Sequence, residues 1–429
     1  MHADLLIHNA AQLLTCASSD GPKRGPALAE LGLIEDGALA IAGGEIVAVG
    51  TTADLLAQLD DPDSVLLLDA SGKVVLPGFV DPHTHLLWAG DRANEFERRI
   101  AGATYMEIMQ AGGGIMSTVR ATRAASLDEL IAQTLPRLDA MMAHGTTTAE
   151  VKTGYGLDLD SELKMLDAIR LLDEEHPMDL VPTFLGAHAV PADYQGRTDA
   201  YVDLVVNDML PAVADLVYTV ESDRGSYQIR GADFCDVFCE AGVFDIAQSR
   251  RILEAARALG LGLKLHADEF EPIGGAMLAA ELGATSADHL VSTTDEQLAA
   301  LAASNTIAVS LPGTPFGLGH HDYTRARRLV DMNGALALAS DLNPGTSWCE
   351  SMQFIIALAC RYLKLTPAEA INAATINAAH ALNLGAHLGS LEAGKQADVL
   401  ILDIPDYRHL GYRYGTNLVE TVIKRGEVI

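Results

Sequence analysis

The sequence predicts an α/β protein: a TIM-type (β/α)8 barrel with a small β-sandwich domain built from both termini. Three observations predict this fold. The length of 429 residues suits one barrel with an attached module. The middle of the chain alternates short apolar runs with longer helical stretches, as a succession of β and α elements requires. Both ends consist instead of short apolar runs broken by Gly and Asp, which is typical of strands and turns.

The two β-rich ends predict a composite domain. The segment GALAIAGGEIVAVG, residues 37–50, and the segment LVETVIKRGEVI, residues 418–429, share a pattern of apolar runs and turn residues. We therefore expect residues 1–74 and 390–429 to form the β-sandwich, and residues 75–389 to form the barrel.

Eight apolar runs in the middle of the chain are candidate barrel strands. In chain order they are VVLPGFVDPHTH, TTTAEVKTG, DLVPTFLGAHA, FCDVFCE, GLKLHADE, TSADHLV, TIAVSLPG and ALALASDLNPG. Helical stretches such as DSELKMLDAIRLLDEEH and DIAQSRRILEAARALG lie between them. In this fold the functional residues collect at the C-terminal ends of the strands. Polar residues that close these runs are therefore the first candidates for function.

Composition and charge argue against several classes of protein. Acidic residues outnumber basic ones by 58 to 29, so the formal charge is −29, and such a chain repels nucleic acid. Five scattered cysteines without a CxxC pair fit a reducing cytosol. The start lacks a basic segment leading to a long apolar core, and no apolar run approaches the roughly 18 residues of a membrane span. These features predict a cytoplasmic protein with neither nucleic acid nor membrane among its partners.

Histidines and acids close four of the eight strand candidates. The first run ends in His83-x-His85, and alternate residues of a strand share a face. Because strand ends converge in a barrel, these imidazoles should meet the polar residues that close the fifth, sixth and eighth runs: His266 with Glu269, His289 and Asp341. An HxH pair alone is a weak signal, since a buried histidine is usually only hydrogen-bonded. Imidazoles and a carboxylate from four strands together predict a metal site with room for water.

Several longer segments carry a resemblance to a known family. They are LPGFVDPHTHLLWAGDR, EVKTGYGL, FLGAHAVP, LHADEF, SADHL and ASDLNPGTS. Together they resemble the amidohydrolase superfamily, and the likeness runs through the whole barrel and both β-rich ends. The segments HTHLLWAGDR, GGGI, KTGYGL and DLNPGT narrow the resemblance to the branch of that superfamily that acts in histidine degradation.

The resemblance implies a metal-dependent hydrolase of a cyclic amide. Its substrate would be 4-imidazolone-5-propanoate, and its product N-formimidoyl-L-glutamate. One divalent or trivalent ion, Zn2+ or Fe3+, would be bound by four ligands: His83, His85, His266 and Asp341. His289 would hydrogen-bond to the water rather than bind the metal, and the catalytic residues would be Glu269, His289 and Asp341. The choice of metal, and of the main base among these three, stays open on the sequence.

The implied substrate carries a carboxylate, and the resemblance also implies how it is bound. Bidentate pairing with a guanidinium is strong and directional, which assigns Arg92 to that carboxylate. The other substrate-binding positions would be Tyr105, Tyr155, His188, Glu269, Asn343, Gly345 and Thr346. Three consecutive glycines, Gly112 to Gly114, predict a mobile flap over the site. A homodimer is also implied, with the small-molecule substrate as the other partner.

Lys152 decides between one metal ion and two. Two-metal members of the superfamily bridge their ions with a carboxylated lysine, usually at the end of the fourth barrel strand. By the strand count above, Lys152 lies on the second strand, and the fourth ends in VFCE without a lysine. The sequence therefore favours one ion and predicts that Lys152 pairs with a nearby carboxylate. His320 and His321 lie in a Gly-rich loop and receive no assignment.

Two other functions stay open on the sequence. The first is a deaminase of the same superfamily that acts on a neutral purine or pyrimidine, which offers no carboxylate to Arg92. The second is an inactive barrel that serves as a binding module. The complete set of histidines and acids at the strand ends argues against the second. A protein without metal after mild purification would contradict both enzyme interpretations.

Overall fold

The computed structural model describes residues 1–103, 107, 112–222 and 225–429. Its strands, in chain order, are β1 Leu5–Ala10, β2 Gln12–Leu14, β3 Leu33–Ile34, β4 Gly37–Ala42, β5 Glu45–Thr51, β6 Leu66–Asp69, β7 Val74–Pro77, β8 Phe79–Asp81, β9 Thr146–Lys152, β10 Asp179–Ala187, β11 Val217–Ser222, β12 Gly225–Arg230, β13 Phe234–Cys239, β14 Gly262–Ala267, β15 Ser286–His289, β16 Ile307–Ser310, β17 Leu336–Leu338, β18 Val399–Leu402, β19 Val419–Lys424 and β20 Glu427–Val428.

Two sheets from the chain ends face each other across an apolar core. One has the strand order β5-β4-β1-β6 and the other β20-β19-β18-β7-β2-β3. The core between them takes buried side chains from both sheets: Ile7, Leu39, Val75, Val399 and Ile423. The six-stranded sheet therefore combines strands from the N-terminal and C-terminal parts of the chain, as the similar pattern of the two ends predicts.

Eight parallel strands form the barrel, in the order β17-β16-β15-β14-β13-β10-β9-β8. Beyond the ladder, two hydrogen bonds join the ends of the first and eighth strands, from Asp341 N to His83 O at 3.1 Å and from His85 N to Leu342 O at 2.9 Å. All eight predicted strands are present, so the predicted fold class is confirmed. An antiparallel hairpin of β11 and β12 precedes the fourth barrel strand and was not predicted. An alternation of strands and helices gives no signal for two strands that bond only to each other.

The run VVLPGFVDPHTH, predicted as one barrel strand, is two strands. β7 joins the six-stranded terminal sheet through β2 and β18, and only β8 joins the barrel. The break is at Gly78, where a Cβ atom would lie 2.2 Å from Thr147 Oγ1. Glycine therefore lets the chain pass this close to the second barrel strand. Both strands are buried, so the apolar run continues across the break. Hydropathy therefore does not show that the two strands pair with different sheets.

The helices are α1 Thr52–Gln58, α2 Ala93–Ile100, α3 Ile115–Ala124, α4 Leu127–Ala143, α5 Leu159–Glu175, α6 Thr198–Leu204, α7 Leu210–Asp215, α8 Ile246–Ala258, α9 Gly275–Leu282, α10 Asp295–Ala303, α11 Gly313–Leu318, α12 Ala326–Asp331, α13 Met352–Leu358, α14 Pro367–Ala373, α15 Ile376–His380 and α16 His409–Tyr412. Helices α4, α8, α10 and α14 each begin with a reciprocal capping box, which satisfies exposed backbone N–H groups. None of the helices within the described ranges has the length and hydropathy needed to cross a bilayer.

Candidate metal and substrate site

The predicted site residues meet in one cavity at the C-terminal mouth of the barrel. The cavity has a volume of about 540 Å³. Its lining includes His85, Arg92, Tyr155, His188, His266, Glu269, His289, Asp341, Asn343, Gly345 and Thr346. His83 is fully buried, with its ring centroid 4.5 Å from that of His266. The predicted Tyr105 lies outside the described residues.

Several residues at the strand ends have a left-handed backbone, which residues other than glycine rarely adopt. The φ angle is +50° at Asp268, +75° at His289, +60° at Leu290 and +53° at Asp341. Such conformations cost roughly 1–3 kcal/mol each and persist only where neighbouring contacts hold them. At Asp341 the bond from its N–H to His83 O supplies such a contact. The chain therefore turns sharply after β15 and β17, and His289 and Asp341 line the cavity at these turns.

The ligand atoms of four residues approach each other as they would around one ion. His266 Nε2 lies 3.2 Å from His85 Nε2. Asp341 Oδ1 lies 3.7 Å from His83 Nε2 and 3.6 Å from His85 Nε2. Ligands at about 2.0–2.1 Å from a tetrahedral zinc ion lie roughly 3.3 Å apart, so these separations fit an ion between them. The buried Nε2 of His83 also has no hydrogen-bond partner among the described residues, so the cluster is suited to a metal ion.

Two buried carboxylates orient two of these imidazoles. Asp288 Oδ2 lies 2.6 Å from His83 Nδ1, and Asp236 Oδ2 lies 3.0 Å from His266 Nδ1. A carboxylate at Nδ1 keeps the ring hydrogen there and leaves Nε2 with the lone pair that binds a metal. Burial also lowers the pKa of His83 and of His85 well below the ordinary value, so both rings stay neutral. The imidazoles are therefore prepared to act as ligands.

Five fully buried charged residues form what we call the floor cluster: Glu150, Lys152, Asp236, Lys264 and Asp288. Lys152 Nζ lies 2.7 Å from Asp236 Oδ2 and 2.8 Å from Glu150 Oε2. Burial alone would lower the pKa of Lys152, but Asp236 and Glu150 raise it above its ordinary value, so the side chain is an ammonium. Lys152 is on the second barrel strand and pairs with carboxylates, and the fourth strand, β13, has no lysine. The strand count that favoured a single ion is confirmed.

Three titratable groups face the cavity at the ligand set. Burial raises the pKa of Asp341 to about 6. Burial, together with the nearby charges of Asp341 and Glu240, raises the pKa of Glu269 well above its ordinary value. Glu269 Oε1 lies 3.7 Å from His289 Nδ1, and the buried Nε2 of His289 has no hydrogen-bond partner in the described part of the chain. Raised pKa values bring both carboxyl groups closer to proton exchange at neutral pH, which an acid and base pair requires.

Arg92 lines the cavity immediately before α2, and its guanidinium is held in place. Its Nε donates to Glu95 Oε2 at 2.8 Å. Its Nη1 lies so close to Gly345 that a Cβ atom at that glycine would be 2.4 Å away. Glu95 also accepts hydrogen bonds from Gly114 N at 3.1 Å and from Ser117 Oγ at 3.0 Å. Glu95 therefore connects Arg92 to the glycine segment predicted as a flap. Because Gly345 has no side chain, the guanidinium fits beside it.

Asn343 organises the turn after β17. Its Oδ1 accepts hydrogen bonds from Gly345 N and Thr346 N, both at 2.8 Å. Its Nδ2 donates to Asp341 O at 2.7 Å and to Thr346 Oγ1 at 2.9 Å. Because these bonds use both amide hydrogens and the amide oxygen, Asn343 supports the turn that carries Asp341.

A buried carboxylate on α5 holds the loop that carries Tyr155. Glu162 accepts hydrogen bonds of 2.7–3.1 Å from three backbone N–H groups, those of Gly154, Gly156 and Leu157. Gly154 O in turn lies 3.1 Å from His188 Nδ1. The His188 ring stacks on that of His85, with a centroid distance of 4.7 Å. Glu162 therefore sets the position of Tyr155 directly and that of His188 through Gly154.

Replacing Glu162 by Gln should raise KM roughly 10-fold or more, with a smaller change in kcat. A glutamine puts an NH2 group where Oε2 now lies 3.1 Å from the N–H of Gly154, so two donors face each other in a buried space, at a cost of about 1–3 kcal/mol. Steady-state kinetics and thermal unfolding check this. The control is Glu129→Gln, since Glu129 accepts from Ser126 N at 2.8 Å in the exposed capping box of α4. A folded Glu162→Gln protein with KM within two-fold of wild type would contradict the assignment.

Sequence reasoning missed several residues of the cavity. Seven further residues line it: Ile115, Ala189, Phe238, Glu240, Ala241, Val243 and Phe270. Glu240 closes the fourth barrel strand and accepts from Phe270 N at 2.9 Å and from Glu271 N at 3.1 Å, which positions the loop of Glu269. The strand-end rule points to Glu240, the last residue of VFCE. The apolar lining residues carry no such signal, because in a sequence they resemble any core residue.

Curated relatives match the chain along its whole length. An imidazolonepropionase from Herpetosiphon aurantiacus is 56% identical over 428 residues, which are 100% of this chain and 97% of the relative. The chain belongs to the imidazolonepropionase family. An imidazolonepropionase from Chloroflexus aggregans is 53% identical over 99% of this chain and 98% of its own length. A comparison with protein-family models also matches the amidohydrolase family over residues 246–429.

Solved structures with a similar fold have much lower identity. An adenosine deaminase from Xanthomonas campestris with bound zinc has a TM-score of 0.69 at 20% identity, covering 99% of this chain and 92% of that one. A 5-methylcytosine deaminase from Klebsiella pneumoniae has a TM-score of 0.70 at 19% identity, covering 99% and 97%. This likeness concerns the fold alone. In this member of the imidazolonepropionase family, the cavity at the barrel mouth is the candidate active site.

Proposed function

We propose that the chain hydrolyses 4-imidazolone-5-propanoate to N-formimidoyl-L-glutamate. The observation that carries this proposal is a single cavity that holds both a His/Asp ligand set and Arg92. The substrate has the two matching features, a cyclic amide to be cleaved and a carboxylate to be bound. The names of the full-length relatives support the same reaction.

We assign the metal to four ligands: His83, His85, His266 and Asp341. Their fit rests on ligand-atom separations of 3.2 Å to 3.7 Å and on the unpartnered Nε2 of His83. When bound, a Zn2+ or Fe3+ ion polarises a carbonyl group and lowers the pKa of a water molecule. Borderline nitrogen and oxygen ligands suit both ions, so metal analysis of the purified protein distinguishes them.

The substrate carboxylate pairs with Arg92, whose Nε donates to Glu95 and whose terminal nitrogens have no acceptor among the described residues, which leaves them for a bidentate contact. Tyr155 and His188, with ring centroids 5.3 Å apart, contact the imidazolone ring from the same side. Burial raises the pKa of Tyr155, so its hydroxyl remains a hydrogen-bond donor. The remaining positions of the proposed binding set are Tyr105, Glu269, Asn343, Gly345 and Thr346.

Ring opening needs one proton removed from water and one delivered to nitrogen. Asp341, with a pKa raised by burial to about 6, is mostly ionised at neutral pH and accepts the proton of the attacking water. Glu269, whose pKa burial raises well above its ordinary value, holds a proton more readily and donates it to the ring nitrogen as the C–N bond breaks. His289 Nε2, which has no protein partner among the described residues, forms a hydrogen bond with the water. The three residues thus divide the proton transfers.

Metal-replete protein should remove the ultraviolet absorbance of freshly made imidazolone propanoate. Dialysis against a chelator should lower the rate by at least about 100-fold, and added Zn2+ or Fe3+ should restore it, because the metal activates the water. A protein that retains its metal but leaves this substrate intact would contradict the proposal. Deamination of a purine or pyrimidine would then identify the related deaminase function. A protein that binds no metal would leave only a binding module.

We also infer a cytoplasmic homodimer that binds neither nucleic acid nor membrane. The charge of −29 opposes binding to phosphate backbones. Five free cysteines fit a reducing compartment. The dimer follows from the family resemblance, and sedimentation of the purified protein tests it.

We infer the division of the chain into a β-sandwich of residues 1–74 and 390–429 and a barrel of residues 75–389, with one adjustment. β7, Val74–Pro77, pairs with β2 and β18 of the terminal sheet, which supports a boundary at Gly78 instead of residue 75.

A further inference from the structure

The floor cluster links the two imidazoles that carboxylates orient. From His83 Nδ1 the contacts run 2.6 Å to Asp288 Oδ2, and from there 3.8 Å to Lys152 Nζ. They continue 2.7 Å to Asp236 Oδ2, and from there 3.0 Å to His266 Nδ1. One ammonium thus lies between both orienting carboxylates.

The oxygen atoms around Lys152 resemble a set of metal ligands. Lys152 Nζ has Asp236 Oδ2 at 2.7 Å and Glu150 Oε2 at 2.8 Å, and Asp288 Oδ2 is 3.8 Å away. Ligand atoms of His83, Glu150 and Asp288 also lie within 4.8 Å of one another. Asp288 Oδ1 is buried and accepts no hydrogen bond within the described residues, so this oxygen is free to bind a cation. Buried carboxylates need a cation, and here an ammonium supplies it.

We propose that Lys152 fills a cation site beneath the metal site, and that the chain binds one metal ion because this ammonium takes the place of a second. This inference rests on the proposed one-ion site. Removing the ammonium leaves three carboxylates and the single positive charge of Lys264 in a fully buried space. A divalent cation that prefers oxygen ligands restores the balance there.

Lys264 provides a matched control. It is as buried as Lys152 and belongs to the same cluster. Its Nζ lies 3.0 Å from Glu150 Oε1 and donates to Pro82 O at 2.8 Å. Its bonds thus involve only one of the three carboxylates, so its removal should open no site between Asp236 and Asp288.

The experiment counts Mn2+ ions bound to chelator-stripped protein, with free Mn2+ followed by electron paramagnetic resonance. Wild type should bind one ion, Lys152→Ala two, and Lys264→Ala one. Lys152→Met, which keeps the volume of the side chain and removes its charge, should bind one. A second ion in Lys264→Ala or Lys152→Met, or only one in a folded Lys152→Ala, would overturn the proposal.

Lys152→Ala loses a buried charge and its folding is therefore measured directly. If it folds poorly, its melting temperature with and without Mn2+ decides, because an ion that binds only the folded state stabilises it by mass action. If Mn2+ raises the melting temperature of Lys152→Ala more than that of Lys264→Ala, the proposal is supported. An equal or smaller increase in melting temperature contradicts it. Wild-type turnover of imidazolone propanoate is a separate readout, so the proposed function can stand while this inference fails.

Discussion

Asp341→Asn should lower kcat by roughly 10³–10⁴-fold, because it removes both an anionic ligand and the proposed base. Asparagine suits the position sterically, since Asp341 has a φ of +53° and asparagine tolerates the left-handed backbone. The hydrogen bond from Thr314 Oγ1 can also be kept. The loss should therefore appear in catalysis and in metal content, with little change in the melting temperature of the metal-free protein.

The control for this variant is Asp179→Asn. Asp179 begins the third barrel strand at the opposite end from the cavity, where its Oδ2 lies 2.5 Å from Lys424 Nζ. Its loss should lower stability and leave kcat close to wild type. If Asp341→Asn kept more than a tenth of the wild-type kcat, Asp341 would be neither ligand nor base.

Arg92→Ala should raise KM by roughly 100-fold, which corresponds to about 3 kcal/mol, a typical cost of removing one partner of a buried charged pair. In a chain with a formal charge of −29, the field of the whole protein opposes an anionic substrate, so a local positive charge is needed at the site. kcat should change less than KM, because the propanoate carboxylate takes no part in bond cleavage. Steady-state kinetics with imidazolone propanoate give both values.

Arg98→Ala is the matched control, since Arg98 is an exposed arginine on α2, the helix that Arg92 directly precedes. It should change KM by no more than about 2-fold, as expected for an exposed charge. An unchanged KM in Arg92→Ala would remove the main argument for an anionic substrate and would favour a deaminase acting on a neutral base.

The strand ends could be predicted from the sequence because two strong patterns coincide there. Apolar runs locate the strands, and polar residues such as His83, His266 and Asp341 interrupt them where each strand ends. The closed barrel then brings these residues together, independently of the conformation of the loops. The turn at Gly78 was not predictable in this way, since apolar runs on both sides of it look alike.

The supporting carboxylates could not be predicted, because nothing local distinguishes them. Asp288 lies 205 residues from His83 along the chain, and Asp236 lies 30 residues from His266. Each is a single acid inside an apolar strand, and its partner is set by barrel geometry alone. Glu162 is similar, since on α5 it looks like any surface glutamate of a helix but is fully buried under the Tyr155 loop.

The single residue between β7 and β8 couples the terminal sandwich to the barrel strand that leads to the metal site. Gly78 N donates to Asp398 O at 3.0 Å, and Phe79 N donates to Gly145 O at 2.9 Å, so consecutive residues are bonded to the segment before β18 and to the segment before β9. His83 follows five residues later with no flexible linker in between. A substitution that opens a cavity in the core of the sandwich would therefore lower the metal occupancy of the site. Saturating metal would in turn stabilise the sandwich against unfolding.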